Sequence, residues 1–317
     1  MRTRTSWISV GQAGVVRIEI PVYTLGNGQP ILTVTCSVHG DEQAGLYVAA
    51  RLIENLTTFE KLNGTIHVIA AANPAAQFMN SRVSSLDYKD LNRGGRGREE
   101  GSLTDRTGAR LFDFLSKCDF AVNIHEFQMH TPTTAVFMNA GNTETKTKTI
   151  AGIKAFDPRI IWVINSSQAG DEQYQTTLDT ALAQAGVANF PIEMTQLPLL
   201  TETDIADAAQ GLTRVAAHLG IIDIPYERQS SVAPAFMRQE FTTNDAGLWE
   251  PECRLMQELT IGDEIGTLRM LPDFQVQKIL SPSEGILIQL RHRQLVSTGT
   301  GLFSIGRNAD EIISPYL

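Results

Sequence analysis

Cysteine is scarce in this sequence. Its 317 residues include three cysteines, Cys36, Cys118 and Cys253, which are too few and too scattered for a disulfide framework or a thiolate zinc site. Cys36 and Cys118 lie in or beside apolar segments. We therefore expect reduced thiols that are mostly buried.

Long apolar runs and basic clusters are missing as well. No apolar run approaches the roughly 20 residues of a membrane-spanning helix, and MRTRTSWISV lacks the apolar centre of a signal peptide. A net charge of -9 without a basic block argues against a nucleic-acid surface and against membrane binding. We therefore expect a cytoplasmic protein without nucleic acid or membrane as a partner. With 42% apolar residues, the chain can bury a sizeable core.

Strand and helix patterns alternate over the first two hundred residues. VVRIEIPVYTLGNGQP predicts two short strands broken by a Gly-Asn-Gly turn, and the apolar run 31–38 predicts a buried strand. Further buried strands are predicted at TIHVIAAANP, FAVNIH, TTAVFMN, RIIWVIN and ANFPIEM. Helices are predicted over 44–56, after the capping pair Ser102 and Asp105, over 149–156, from about 176, and from Thr201 with Asp204 to 219. This alternation predicts an α/β fold whose mixed, mostly parallel sheet is covered by helices on both faces.

The pattern changes near Ile224 and Pro225. Helical spacing ends there, and short β-like runs follow, separated by AGLWEP, IGDEIG, SPSEG and STGTG. We therefore predict a catalytic α/β domain over residues 1–224 and a small all-β domain over residues 225–317.

Two histidines and a glutamate are placed where strands end. His39 directly follows the run 31–38 in SVHGDEQAG, Glu42 stands at the mouth of the next helix, and His125 ends FAVNIH. H-x-x-E alone is more often an exposed turn with acids at a helix N-terminus. Since ligands collect at the carboxyl ends of strands in open α/β sheets, the three side chains together indicate a catalytic zinc site with water in the fourth position.

Four segments carry a resemblance to a known family: SVHGDEQAG, ANPAAQFMNSRVSSLDYKDLNR, the strand ending NIH, and ANFPIEM. With them the chain resembles the succinylglutamate desuccinylase/aspartoacylase family of zinc-dependent deacylases, which is related to the zinc carboxypeptidases. The segment 246–306 is similar to the C-terminal β domain of that family. Within the family, the R-x-S-x-x-D…D-L-N-R spacing from Arg82 to Arg93 resembles that of a broad set of bacterial deacylases with diverse substrates.

The resemblance implies a role for each matching residue. His39, Glu42 and His125 would hold one zinc ion per chain, with His130 as a rival ligand that no strand end positions. Arg82 would polarise the scissile carbonyl. The substrate α-carboxylate would be held by Asn92 and Arg93, since a guanidinium matches a carboxylate in a two-pronged geometry.

Two glutamates compete for the role of general base. Glu202 follows the helix cap Thr201, where a carboxylate is ordinary helix-end chemistry. Glu193 ends the apolar strand ANFPIEM, as the catalytic glutamate of the family does. We therefore predict Glu193 as the base that moves a proton between water and the leaving amine.

The expected activity is hydrolysis of the amide bond of a small N-acylated amino acid or a related compound. A zinc carboxypeptidase acting on short peptides and a catalytically silent metal-binding module are the alternatives. Asn123, Glu126, GGRGREEG and EMTQ depart from the family pattern near the site, so the acyl group and the amine stay open. The oligomeric state, including a homo-oligomer, stays open as well.

Overall fold

Two β-sheets form the framework of the protein. The computed structural model describes residues 2–165, 170–225 and 231–317. Its strands are β1 (Thr3–Ala13), β2 (Val16–Gly26), β3 (Ile31–Thr35), β4 (Thr65–Ile69), β5 (Phe120–Phe127), β6 (Thr134–Met138), β7 (Ile160–Ile164), β8 (Ala188–Thr195), β9 (Ala235–Thr242), β10 (Gly247–Pro251), β11 (Glu258–Leu259), β12 (Glu264–Met270), β13 (Val276–Leu280), β14 (Gly285–Leu290), β15 (Gln294–Val296) and β16 (Gly301–Asn308). The α-helices are α1 (Ala44–Thr57), α2 (Pro74–Phe78), α3 (Leu103–Leu115), α4 (Thr143–Phe156), α5 (Leu178–Gln184), α6 (Glu202–His218) and α7 (Asp310–Ile313). Short 3-10 turns occupy Leu91–Arg93, Glu172–Tyr174, Leu197–Leu199 and Ser314–Tyr316.

The larger sheet is mixed, with a parallel centre. Its twelve strands have the order β1-β2-β4-β3-β5-β8-β6-β7-β9-β16-β14-β11. Strands β4, β3, β5 and β8 run parallel to one another, while β2 and β6 pair antiparallel with β4 and β8. The carboxyl ends of β3, β5 and β8 therefore meet at one edge of the sheet, as the alternating pattern predicts.

Helices pack on both faces of this sheet, which confirms the predicted fold class. On one face, a core that includes Val48 of α1, Ile153 of α4 and Leu212 of α6 packs against the strands. Leu111 of α3 and Leu182 of α5 belong to the core of the opposite face. No helix in the described part of the chain is long and apolar enough to cross a membrane.

Local sequence signals account for the ends of several helices. The capping boxes of α3 and α6 form as predicted, with Ser102 and Asp105 in the first and Thr201 and Asp204 in the second. Helix α4 begins at Thr143, earlier than predicted, because the side chain of Asn142 accepts a hydrogen bond from the backbone N–H of Thr145. The three cysteines are free thiols, and Cys36 and Cys118 are buried.

The N-terminal region differs from the prediction. Thr3–Ala13 forms an unpredicted edge strand that pairs antiparallel with β2. The segment predicted as two short strands is one strand, Val16–Gly26, followed by a turn. Gly26 adopts a φ of +76°, and a Cβ there would collide with the carbonyl oxygen of Gly64.

The C-terminal strands extend the large sheet. Strand β9 pairs parallel with β7, matching Ile161 with Ala235 and Trp162 with Phe236, and β16, β14 and β11 continue beyond it. The other strands form a second sheet, in the order β13-β12-β10-β15. The boundary at residues 224 and 225 stays a prediction, and residues 226–230 lie outside the described part. Since β9 adjoins β7, C-terminal side chains reach the carboxyl edge of the central strands.

Candidate metal centre

Three buried side chains converge beyond the ends of the central strands. His39 lies in the loop after β3, Glu42 precedes α1, and His125 lies in β5, which continues two residues past the predicted NIH end. Each offers one ligand atom, and these atoms all lie within 4.8 Å of one another. His39 and His125 are 3% and 4% exposed. The fold therefore assembles, in a water-poor place, the three residues that the sequence singles out.

Both imidazoles face the Glu42 carboxylate. The distances are 2.6 Å between His39 Nδ1 and Glu42 Oε1, and 2.8 Å between His125 Nδ1 and Glu42 Oε2. Burial alone would raise the pKa of Glu42, but the two histidines outweigh it and lower the pKa to about 2. Burial would lower the pKa of His125, but Glu42 raises it to about 9. The side chains of His39, Glu42 and His125 thus attract positive charge to the space between them.

The donor set of this cluster fits a divalent metal ion. Imidazole nitrogens and a carboxylate oxygen are the ligands that zinc takes in hydrolase sites. His39 and His125 each direct Nδ1 at the Glu42 carboxylate, so two nitrogens and a carboxylate are presented to one another in a buried place. The composition, spacing and burial of the cluster together define a His-Glu-His metal site.

Asp90 orients the first histidine, a contact that the sequence did not reveal. Asp90 Oδ1 lies 3.1 Å from His39 Nε2, which leaves the Nδ1 atom facing Glu42. Burial would raise the pKa of Asp90, but His39 and Arg82 hold it well below its usual range. Carboxylates in this position fix the ring and tautomer of metal-binding histidines. Asp90 begins the DLNR segment, so the motif itself contained the signal.

Arg82 lies beside the cluster, half-exposed to the cavity. Its guanidinium donates to Asp90 Oδ2 through Nε (3.2 Å) and Nη2 (3.0 Å). Its Nη1 lies 3.4 Å from His39 Nδ1 and 3.7 Å from Glu42 Oε1. Asp90 thus holds the positive charge of Arg82 next to His39 and Glu42.

Asn92 and Arg93 reach the same cavity from the 3-10 turn Leu91–Arg93. Asn92 Oδ1 accepts a hydrogen bond from the backbone N–H of Leu178 (3.0 Å), which ties this turn to the start of α5. Arg93 Nη1 donates to the Asn92 carbonyl (2.9 Å), and its guanidinium lies 5.6 Å from the ring centroid of Tyr174. Tyr174 is a cavity residue that the sequence analysis missed.

Glu193 stands next to His125 on the neighbouring strand. The two residues are register partners in the parallel pair of β5 and β8. Burial raises the pKa of Glu193 to about 7. Glu202, the rival base, is an exposed first residue of α6, 3.5 Å from Arg51 Nη2. Of the two glutamates, Glu193 lies in the cavity.

All seven predicted site residues line one cavity of about 100 Å³. The other lining residues are Glu126, Phe127, Trp162 and Tyr174. This cavity adjoins a cleft of about 590 Å³, to which the C-terminal strands and loops contribute Arg238, Glu240, Arg291 and Gln294.

Arg238 links the C-terminal strands to the aromatic side of the site. Its guanidinium lies 4.7 Å from the ring centroid of Trp162 and donates to Gln289 Oε1 (3.0 Å) and the Tyr174 hydroxyl (3.3 Å). The sequence analysis missed Arg238 because its place depends on the pairing of β9 with β7, which no local pattern encodes.

The remaining histidines lie outside the cluster. His130 is exposed and forms an isolated β-bridge with Leu290, His67 pairs with Thr24 on β2, and His292 contacts Gln196. Asn123, one of the departures from the family pattern, lies two residues before His125 in β5. Its Nδ2 atom donates a hydrogen bond to Asp179 Oδ1 (2.5 Å).

The fold and the site together define a class: α/β proteins that hold a metal through two histidines and a glutamate at the carboxyl edge of a mixed sheet. Residues 29–219 match the family model described as the succinylglutamate desuccinylase/aspartoacylase catalytic domain. The chain belongs to this family, as the sequence motifs predict, and is a hydrolase of the deacylase type.

Nearly the whole chain has the fold of one solved relative, and two other relatives match part of it. The ectoine utilization protein EutE (DoeB) from Ruegeria pomeroyi, in its product-bound structure, is 22% identical, with 96% of this chain and 95% of that chain covered and a TM-score of 0.83. An N-alpha-acetyl-L-2,4-diaminobutyric acid deacetylase from Halomonas elongata is 23% identical over 268 residues, 80% of this chain and 74% of the relative. A metallo-carboxypeptidase from Burkholderia cenocepacia is 15% identical, with 68% and 64% covered and a TM-score of 0.53, so the fold resembles that of the carboxypeptidases.

Proposed function

We propose that this protein is a zinc-dependent amidohydrolase that removes the acyl group from a small N-acylated amino acid or a related compound. His39, Glu42 and His125 hold one zinc ion per chain. The observation that carries the proposal is the shared cavity, in which Glu193, Arg82 and Arg93 surround the His-Glu-His cluster. A silent metal-binding module would not need a buried carboxylate and two arginines in the cavity that its metal ligands line.

Glu193 acts as the general base. A divalent ion held by His39, Glu42 and His125 would lower the pKa of a water molecule and polarise the carbonyl group of the substrate. Glu193 takes the proton from the attacking water and returns it to the leaving amine. Because burial raises the pKa of Glu193 to about 7, its carboxyl group can accept and release a proton near neutral pH.

Arg82 stabilises the negative charge that develops on the carbonyl oxygen. Its guanidinium is already held by two hydrogen bonds to Asp90, next to His39. A preoriented positive charge costs little reorganisation when the oxyanion forms. We infer that Asp90 serves the site twice, because it also orients the His39 ring.

Arg93 and Asn92 bind the carboxylate of the substrate. The ring of Tyr174 lies against the Arg93 guanidinium. Arg93 Nη1 also donates a hydrogen bond to the Asn92 carbonyl. These contacts limit the rotamers of a flexible side chain, so less entropy is lost when it grips a ligand. The substrate amide would then lie between Arg93 and the metal cluster.

The size of the site favours a small substrate over a long peptide. The cavity at the cluster is about 100 Å³, and side chains from the C-terminal strands and loops line the cleft around it. The Halomonas elongata relative is named for the deacetylation of a small acetylated diamino acid, which supports the same class of substrate.

A screen of the zinc-loaded protein tests this function. N-acetyl and N-succinyl amino acids are compared with dipeptides and tripeptides, and the released amine is measured. We expect the N-acyl amino acids to be hydrolysed with the higher kcat/KM. Preference for short peptides would replace the proposal with a carboxypeptidase, and absence of any amide turnover at full zinc occupancy would favour the silent module.

A further inference from the structure

Helix α1 begins beside the metal cluster without a local cap. It starts at Ala44, two residues after Glu42, and its N-cap residue Gln43 makes no capping side-chain bond. The first turn contains no acidic residue either. The free backbone N–H groups at such a helix end require acceptors from elsewhere.

One carboxylate from a distant part of the chain supplies these acceptors. Glu126 Oε2 accepts hydrogen bonds from the backbone N–H groups of Gln43 (3.0 Å) and Ala44 (2.9 Å). Its other oxygen, Oε1, accepts from the backbone N–H of Leu197 (2.9 Å). Leu197 begins the 3-10 turn that follows β8, the strand of Glu193.

The three bonded segments are the ones that carry the site. Glu126 itself follows His125 in β5, Gln43 follows Glu42, and Leu197 lies four residues after Glu193. Charge-assisted bonds from a carboxylate to backbone N–H groups are among the stronger hydrogen bonds, and a negative charge at a helix N-terminus adds to them. Rigid backbone donors, rather than flexible side chains, therefore meet at one carboxylate in the wall of the cavity.

We propose that Glu126 is a positioning residue that fixes the spacing of Glu42, His125 and Glu193. Both of its oxygens are engaged by backbone donors, so it acts through these segments. Displacements of a few tenths of an ångström alter metal affinity and the distance of proton transfer. The proposal deepens the proposed function, because the part that concerns kcat rests on it, whereas the part that concerns metal geometry does not.

The test replaces Glu126 in the full-length, zinc-loaded protein. Glu126→Gln keeps one carbonyl oxygen and Glu126→Ala keeps none, so the effects should increase in that order. We expect faster amide hydrogen exchange at Gln43, Ala44 and Leu197, and zinc affinity lowered about 10-fold to 100-fold in competition with a chelator. The visible absorption spectrum of the Co²⁺-substituted protein should change, and kcat should fall while KM stays close to that of the parent.

Asp119→Asn is the matched control. Asp119 Oδ2 accepts a hydrogen bond from the backbone N–H of Ile31 (2.7 Å), at the end of β3 away from the metal cluster. Removing this carboxylate should leave zinc affinity, the Co²⁺ spectrum and exchange at the three site amides unchanged.

Two results would overturn the proposal. In the first, both Glu126 variants match Asp119→Asn in exchange, zinc affinity and Co²⁺ spectrum. In the second, KM rises alone, which would make Glu126 a substrate contact. If the parent protein hydrolyses no amide, the proposed function fails, while exchange and metal affinity still decide the role of Glu126.

Discussion

Two regions of the large sheet contain a histidine whose pKa departs from its usual value, and the two pKa values are shifted in opposite directions. At the carboxyl edge, Glu42 raises the pKa of His125 to about 9 against the effect of burial. On β4, burial and the charge of Arg4 lower the pKa of His67 to about 4. The carboxylate-rich edge attracts a cation, whereas the surroundings of His67 keep the ring neutral.

Hydrogen bonding separates the two regions further. His67 Nδ1 is paired with the Thr24 hydroxyl (3.0 Å), and its ring makes an edge contact with Phe114 at a centroid distance of 5.1 Å. His125 Nδ1, in contrast, lies 2.8 Å from Glu42 Oε2, a carboxylate that it shares with His39. A histidine with a neutral hydroxyl partner needs no ion, while two histidines around one carboxylate form a ligand set.

The largest effect should come from removing the two histidines of the metal cluster, His39 and His125. In the His39→Ala, His125→Ala double variant, metal content should fall from one ion per chain to background, because a single glutamate binds zinc weakly. Hydrolytic activity should disappear with it. Elemental analysis after gel filtration measures the metal, and circular dichroism checks the fold.

His130→Ala and His67→Gln are the controls for this experiment. Neither residue belongs to the cluster, so both variants should retain the parent metal content. Full zinc occupancy in the double variant would remove the distinction between the two regions and refute the ligand assignment.

A somewhat smaller effect should separate the two glutamates. Glu193→Gln preserves shape and should leave metal content nearly unchanged, yet it should lower kcat by roughly 100-fold to 10,000-fold, the usual contribution of general acid-base catalysis. Glu202→Gln should change kcat little, because Glu202 is exposed at the start of α6. Steady-state kinetics of both variants at matched zinc occupancy test this. The opposite ranking would make Glu202 the base.

Local sequence predicted the parts of the molecule that depend on local signals. The apolar runs of β3 and β8 and the capping boxes of α3 and α6 are short-range patterns, and the structure contains them. The placement of His39 and His125 at one edge followed from a general property of parallel strands. The roles of Arg82, Asn92 and Arg93 came from the resemblance and stay predictions.

Contacts between distant segments escaped prediction. Strand β1 is an edge strand whose residues are mostly exposed, with Val10 as its one buried side chain, so its alternating pattern was too weak to predict a strand. Arg238 reaches Tyr174 only because β9 pairs with β7, and Glu126 meets α1 only through the tertiary fold. Contacts across 64 and 82 residues, as these two are, depend on the global energy of the fold, which no window of sequence encodes.

The arginines allow a similar comparison of site and surface. Arg93 lies over Tyr174 inside the cavity, and Arg96 lies over Phe112 outside it, at 5.2 Å from the ring centroid. Arg93→Ala should raise KM for a carboxylate-bearing substrate roughly 30-fold, since a charge-assisted contact contributes about 2 kcal/mol. Arg96→Ala loses a comparable ring contact and should leave KM unchanged.

A second substrate sharpens this prediction. Replacing the substrate carboxylate by an amide should raise KM about equally in the parent enzyme, and little further in Arg93→Ala. Independent, additive effects of the two changes would show that Arg93 is not the carboxylate partner.

The smallest effect concerns His67 and the dependence of stability on pH. Unfolded, this histidine has a pKa near 6.5, and in the folded chain its pKa is about 4. Between these values the unfolded chain binds the additional proton, so the free energy of unfolding should decrease as the pH falls through this window. The slope due to His67 is at most about 1.4 kcal/mol per pH unit, and solvent screening reduces it because the ring is partly exposed.

The difference between the parent and His67→Gln isolates this contribution, since the carboxylates that titrate in the same window are common to both. Urea unfolding at pH 4.5, 5.5 and 7 should give a flatter profile for His67→Gln. Arg4→Gln removes the cation that helps to lower the pKa of His67, so it should raise that pKa and narrow the window from its acid side. Parallel profiles for parent and His67→Gln would mean that His67 accepts a proton as easily folded as unfolded. The contrast with the metal cluster would then rest on hydrogen bonding alone.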